Sequence, residues 1–311
     1  MPLLSAGSVR RWTADDTRRL LRVPGTDADK RTRGIVALRT GSDAFPGAAV
    51  LGVEGAWRAG AGYVVYLGPR RAADLVLARR PETVVVEPGD RAVRAHAWVI
   101  GSGADDRARP AHDAGPQPPD DLQPLHGVDP VVVDAGALTL LPAPTAPVVA
   151  TPHEREFAVL RTALRLADLG TDVLRDPSAR AAAVRETAAA LGGVVLLKGA
   201  ITLVSDGDAV LAVDAGTPWL AAAGTGDVLA GVIGALVAAD RAADGQAPLA
   251  ELAAAGAWLH GRAGRIAAGA LGPAAGRPIT ALDVAEALPA AFGTTIDDTG
   301  HVARDDEEDD A

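Results

Sequence analysis

Short apolar runs of strand length alternate with helix-length segments, and this rhythm restricts the fold more than any other feature of the chain. Residues 34–38, 63–67, 84–86, 97–100, 130–133, 147–150 and 194–197 are apolar almost throughout. Between the early runs lie residues 47–59, with Val50, Val53 and Trp57 at helical spacing, and the short segment 71–79. Strands that are continuously apolar, rather than alternating with polar residues, are buried on both faces. Strands of that kind separated by helices predict an α/β fold, a three-layer α/β/α arrangement around a mostly parallel sheet.

Local signals complete the outline. Thr151 and Glu154 have the spacing of a capping box, which predicts a helix from Pro152. Asp176-Pro177 opens another, ending near Gly192-Gly193. Residues 201–205 and 209–213 read as strands of a hairpin turned by Ser205–Asp208, and 228–239 and 249–268 as helices. Thr280 with Asp283 caps a last helix, expected to run to Pro289. Residues 101–127 break the rhythm with Pro110, Pro116, Pro118, Pro119 and Pro124, and read as a long loop. The domain layout expected is a polar leader at 1–24, one body at 25–293 and an acidic, disordered tail at 294–311.

Several function classes drop out. The chain has no cysteine, which excludes disulfides, thiolate metal sites and a cysteine nucleophile. The longest run resembling a membrane span is the 12 residues 228–239, against the roughly 20 a span needs. Arg10, Arg11, Asp15, Asp16, Arg18 and Arg19 interrupt any signal-peptide core, so a cytoplasmic protein is expected. The net charge of −10 is concentrated in residues 297–311, which hold eight acids and one base. The near-neutral remainder argues against a nucleic-acid footprint.

The segment richest in chemistry is Ala222-Ala-Gly-Thr-Gly-Asp227-Val-Leu-Ala-Gly231, a small-residue loop running into an apolar helix. The first amides of a helix lack intrahelical partners and can hold an anion. Asp227 then reads either as a first-turn acid of ordinary helix-start type or as a general base beside a phosphate. Neither the Walker A nor the dinucleotide glycine spacing fits. Lys198 closes a buried strand ahead of Gly199, and is one of only two lysines, with Lys30. It is either a snorkelling strand-end cation or a ligand contact at the carboxyl edge of the sheet. Thr151-Pro-His153-Glu154-Arg-Glu156-Phe157, Gly41-Ser42-Asp43-Ala-Phe45-Pro46-Gly47-Ala48-Ala49, Gly101-Ser102-Gly103 and Asp134-Ala135-Gly136-Ala137-Leu138 are weak singly. Each follows a strand, so all would open on one edge of the sheet.

Together, Lys198-Gly-Ala-Ile-Thr202, Gly216-Thr-Pro-Trp-Leu-Ala-Ala-Ala-Gly-Thr-Gly-Asp-Val-Leu-Ala-Gly231, Thr151-Pro-His-Glu-Arg-Glu-Phe157 and Phe45-Pro-Gly-Ala48 resemble the ADP-dependent NAD(P)H-hydrate dehydratases of the ribokinase-like superfamily. The resemblance spans roughly residues 25–292. It implies a ribokinase-like three-layer fold without a separate lid domain. It implies a lyase that uses ADP, with Mg2+, to restore NADH or NADPH from the 6S-hydrate (NADHX or NADPHX), releasing AMP and phosphate. Asp227 would be the catalytic base. Lys198, Gly199, Ala200, Ile201 and Thr202, with Gly224, Thr225 and Gly226, would bind ADP and AMP. Ala48, Gly103, His153 and Asp227 would contact the hydrate, and no protein metal ligand is implied. Implied partners are the small-molecule substrate, further copies of the chain, and an NAD(P)HX epimerase on a separate chain, since few residues precede the first motif; neither nucleic acid nor membrane is among them.

The chain departs from the family pattern in three loops. Gly101-Ser-Gly-Ala-Asp105 stands for Gly-Pro-Gly-Leu-Gly, Asp134-Ala-Gly136-Ala-Leu138 for Asp-Ala-Asp-Ala-Leu, and Thr217-Pro-Trp219-Leu220 for Asn-Pro-Gly-Met. These changes fall mainly on the hydrate side. They keep two other readings open: a small-molecule kinase of the same superfamily, and a nucleotide-binding paralogue without catalysis.

Overall fold

The computed structural model describes residues 9–86, 93–101, 124–141, 144–170, 174–272 and 274–297. Ahead of the first motif lie β1 (Val9–Arg11) and α1 (Ala14–Arg18), followed by β2 (Ile35–Arg39), α2 (Gly47–Arg58), β3 (Tyr63–Tyr66) and α3 (Arg70–Arg79). Next come β4 (Val84–Val85), β5 (Ala97–Ile100), β6 (Val131–Val133), β7 (Val148–Ala150) and α4 (Glu154–Ala163). The rest comprises α5 (Pro177–Leu191), β8 (Val194–Leu197), β9 (Thr202–Ser205), β10 (Val210–Val213), α6 (Thr225–Ala242), α7 (Leu249–Ala268) and α8 (Ala281–Asp297). Among the described residues the strands form one ten-stranded sheet in the order β1-β10-β9-β8-β7-β6-β5-β2-β3-β4. From β8 to β4 all neighbours are parallel, and β9 runs antiparallel to both β8 and β10.

The three layers follow from strand alternation. Successive side chains point to opposite faces, so Val132 joins one core while Val131 and Val133 join the other. On one face Val36, Leu38, Val64, Tyr66, Val99 and Leu196 pack beneath α2, α6, α7 and α8. On the other Ile100, Val148, Ala150, Val195 and Leu197 pack beneath α4 and α5. Arg161, 2% exposed, ties those two helices together by donating to Thr187 Oγ1 at 2.8 Å and to the Ala183 carbonyl at 3.3 Å. The expected three-layer α/β/α class is what the chain adopts. No described helix is long and apolar enough to cross a membrane.

Four local expectations change. The segment read as a leader supplies β1, paired parallel with β10, and Trp12, 3% exposed, donates its indole N–H to Thr17 Oγ1 at 2.8 Å. Its few apolar residues stand among arginines and aspartates, which hid the strand. The helix expected from Pro152 begins at Glu154, capped by His153 and Glu156 rather than by Thr151 and Glu154. Thr151 is drawn into the sheet edge instead, its hydroxyl donating to Asp134 Oδ1 at 2.9 Å. The last helix runs through Pro289 to Asp297 because Val284, Leu288, Ala291 and Thr295 bury one face on both sides of the proline. The helix expected at 228–239 spans Thr225–Ala242, which brings Asp227 inside its first turn. Of the long proline-rich loop, residues 102–123 lie outside the described residues, as do 298–311 of the tail.

Candidate active site

Parallel strands end on one edge, and that edge gathers most of the candidate residues. The backbone stitches the strand ends together: Thr151 N–H donates to Val133 at 2.9 Å, and Lys198 N–H donates to Pro152 at 2.9 Å. Beyond β6, Ala135 takes a left-handed φ of 50°, an unfavourable conformation for alanine that turns the chain sharply. The turn leaves Asp134 buried, 3% exposed, at the end of its strand.

Asp134 and Lys198 are the electrostatic centre of this edge. Lys198 Nζ donates to Asp134 Oδ1 at 2.8 Å and lies 3.7 Å from Glu156 Oε2. With the Thr151 hydroxyl, the buried carboxylate therefore has two donors, as a buried charge requires. A Cβ placed on Gly226 would lie 3.4 Å from Lys198 Nζ and 3.8 Å from Asp134 Oδ2. The lysine thus stands beside the first turn of α6, although 28 residues separate Lys198 from Gly226.

The turn into α6 is built for close approach. Gly224 caps the helix at φ 86°, where a side chain would meet Leu51 at 2.4 Å. The Thr225 hydroxyl donates to the Leu220 and Ala222 carbonyls at 2.9 and 3.0 Å, pinning the loop. The amides of Gly226 and Asp227 fall in the first turn, where no intrahelical carbonyl faces them. These amides, the helix dipole and Lys198 can together act as a well for an anion. Asp227 is half-buried at the third helical position. Its Oδ2 lies 3.8 Å from where a Gly224 Cβ would stand.

The remaining candidates are more scattered in what the structure shows of them. Gly199, Ala200 and Ile201 are exposed in the loop joining β8 to β9, and Thr202 begins β9. His153 is exposed at the start of α4, its Nδ1 accepting from Glu156 N–H at 3.2 Å, and Glu156 in turn faces Lys198. Ala48 is half-buried in the first turn of α2, and one turn later Leu51 contacts the Gly224 region of the α6 cap. Gly103 lies outside the described residues. Sequence reasoning undervalued Asp134 and Glu156. The available signal was position, since both follow strands that end on this edge.

His260, on α7, is buried behind the loop, and its Nε2 has no hydrogen-bond partner. Burial dominates in drawing its pKa down to about 4; the Thr225 backbone pulls upward and the charge of Lys198 adds a smaller downward push. The unfolded chain protonates this imidazole near its ordinary value of 6.5, well before the folded chain does. The associated stability is therefore complete above that value and is lost as pH falls toward the folded pKa. Between about pH 6.5 and pH 5 the loss amounts to roughly 2 kcal/mol. Denaturant titrations at both pH values should show that extra loss in the wild type and not in His260→Gln. Equal losses in the two proteins would mean that the imidazole titrates normally.

Among the described residues no group of three or more His, Asp or Glu is placed to hold a metal ion. A family model for NAD(P)H-hydrate dehydratase matches residues 36–286. The chain is 36% identical over 264 residues to the ADP-dependent (S)-NAD(P)H-hydrate dehydratase of Neisseria meningitidis, covering 80% of this chain and 82% of that one. It is 40% identical over 259 residues to the bifunctional NAD(P)H-hydrate repair enzyme Nnr of Mycobacterium leprae, covering 81% of this chain. This chain spans about half the length of that relative, 49%. The ADP/ATP-dependent NAD(P)H-hydrate dehydratase of Bacillus subtilis, co-crystallized with ATP/Mg2+, superimposes with TM-score 0.74 at 27% identity, over 93% of this chain and all of that one. A ribokinase-like superfamily protein from Enterococcus faecalis shares the fold, with TM-score 0.74 at 23% identity, over 95% and 99% of the two chains.

Proposed function

The chain belongs to the NAD(P)H-hydrate dehydratase family, and from that premise we propose that it restores NADH or NADPH from the 6S-hydrate with consumption of ADP. The observation that carries this reading is Lys198 Nζ standing beside Gly226 at the start of the helix that holds Asp227. An anion well and a carboxylate in one turn suit phosphoryl transfer to a hydroxyl, where positioning and charge stabilisation do most of the work. Lys198, Gly199, Ala200, Ile201 and Thr202, with Gly224, Thr225 and Gly226, hold the ADP. By carry-over from the family's motifs, Ala48 and His153 contact the hydrate, as would Gly103, which lies outside the described residues.

The hydroxyl on ring carbon 6 is a poor leaving group. Its oxygen attacks the terminal phosphorus of ADP while Asp227 accepts its proton, and AMP departs. The amides of Gly226 and Asp227 and the Lys198 ammonium stabilise charge on the transferred group. Electron density from the ring nitrogen then expels phosphate, and loss of the proton on the adjacent carbon restores the dihydropyridine. Mg2+, when bound with the nucleotide, would supply further charge neutralisation at the phosphates, beside the Lys198 ammonium and the amides of Gly226 and Asp227. An NAD(P)HX epimerase acting alongside supplies the 6S form.

The test is recovery of reduced-nicotinamide absorbance from NADHX with ADP, ATP or no nucleotide. Recovery with ADP, accompanied by AMP, is expected. A stable phosphate ester in place of NADH would favour a kinase of the same superfamily. Nucleotide binding without any product would favour a paralogue that has lost catalysis.

A further inference from the structure

The geometry points to Arg180 as a positioning residue for the nucleotide, acting through the loop between β8 and β9. This inference rests on the reading of residues 198–202 as the nucleotide loop. Arg180 sits in the first turns of α5, in the layer opposite α6. Its Nη1 donates to the Ile201 carbonyl at 2.9 Å and its Nη2 to the Lys198 carbonyl at 3.2 Å. One planar guanidinium thus holds the loop at Lys198 and at Ile201, and Gly199 and Ala200 between them are exposed.

Peptide planarity turns this anchor into a direction. In a trans peptide the carbonyl and the following N–H point opposite ways. With the Lys198 carbonyl drawn toward α5, the Gly199 N–H leaves that peptide on the other side, away from the α5 layer. The Lys198 side chain, from the same loop, faces the start of α6. Arg180 therefore fixes how a loop amide is presented to the anion well without occupying the well.

The identity of residue 199 fits the same picture. A Cβ on Gly199 would stand 2.4 Å from Arg180 Nη2, so a side chain at 199 could enter only by pushing the guanidinium off the loop. Lysine cannot replace it fully, since an ammonium lacks the fork that reaches two carbonyls at once.

The test compares full-length wild type, Arg180→Ala, Arg180→Lys, Gly199→Ala and the Arg180→Ala/Gly199→Ala double variant. ADP affinity is measured by calorimetry, alongside melting temperature and NADHX turnover at saturating ADP. Loss of two hydrogen bonds to the loop should weaken ADP binding by about tenfold in Arg180→Ala, with Arg180→Lys intermediate. For Arg180→Ala, saturated turnover should stay within about twofold of wild type, because the Lys198 ammonium keeps its own anchor on Asp134 and only the loop backbone loosens. Gly199→Ala should weaken binding in the wild-type background and add little once Arg180 is gone, the non-additivity expected of touching groups. ADP affinity unchanged in Arg180→Ala, or unchanged in Arg180→Lys should the alanine variant fail to fold, would overturn the inference and leave the dehydratase reading standing. So would a lower melting temperature with normal affinity in the folded fraction, the signature of a purely structural arginine. No ADP binding by the wild type would remove both.

Discussion

Asp227→Asn is expected to lower NADHX turnover by about 10²–10⁴-fold, the usual contribution of a general base. The substitution keeps the shape of the side chain and removes its ability to take a proton. Two other quantities should barely move. Folding stability should shift by no more than ~1 kcal/mol, since Gly224 rather than Asp227 occupies the cap and the favourable dipole term for a first-turn acid is small. ADP affinity should hold or rise slightly, because a negative charge beside the phosphates is gone. An acid that served only the helix terminus gives the opposite pattern, with near-normal turnover in Asn and damage in Ala that tracks melting temperature. Turnover of Asn above about a tenth of wild type exceeds what loss of a general base leaves, and it would remove Asp227 from catalysis.

How much of this was legible beforehand depends on how far each signal reaches along the chain. The strands from β2 to β8 announce themselves because a parallel strand buried on both faces is a continuous apolar run, as in Val131–Val133 and Val194–Leu197. The Ser205 turn was legible too: its hydroxyl donates to the Ala209 carbonyl at 2.6 Å and accepts from Gly207 N–H at 3.1 Å, both within five residues. Apolar periodicity starts α6 only at Val228, three residues late, because Thr225-Gly-Asp227 carries none and reads as loop until Gly224 is seen to cap it. Lys198 could be put at a strand end, but its partner Asp134 lies 64 residues away. That contact exists only because β6, β7 and β8 are neighbours in the sheet. The local pattern misleads at Thr151 for the same reason. Its hydroxyl had a choice between a local amide and a distant buried carboxylate, and the carboxylate, once charged and desolvated, is the stronger acceptor.

Gly231→Ala should both destabilise the fold and impair the site, against the direction that helix propensity alone dictates. In an open helix interior, Gly→Ala stabilises by roughly 0.5–1 kcal/mol. Gly293, in α8 with nothing within 4 Å of its would-be Cβ, is the control for that effect and its alanine variant should melt higher. At Gly231 a Cβ would stand 2.1 Å from the Gly52 carbonyl oxygen and 2.9 Å from the Ala56 nitrogen of α2. Those are backbone atoms, which cannot rotate aside, so the helices must separate by about 1 Å to restore ordinary contact. Overpacking of this kind costs typically 1–3 kcal/mol or more, which outweighs the propensity gain and should lower the melting temperature by about 5 °C. The same separation reaches the chemistry. Asp227 lies one turn before Gly231 on α6, and Ala48 lies one turn before Gly52 on α2. A misplacement of about 1 Å between reacting groups can cost on the order of 10²-fold in rate, so turnover measured well below the melting temperature should fall by that order. A Gly231→Ala protein that melts higher, as Gly293→Ala should, would show that α2 and α6 have room to spare and that their contact does not set the distance between Asp227 and Ala48.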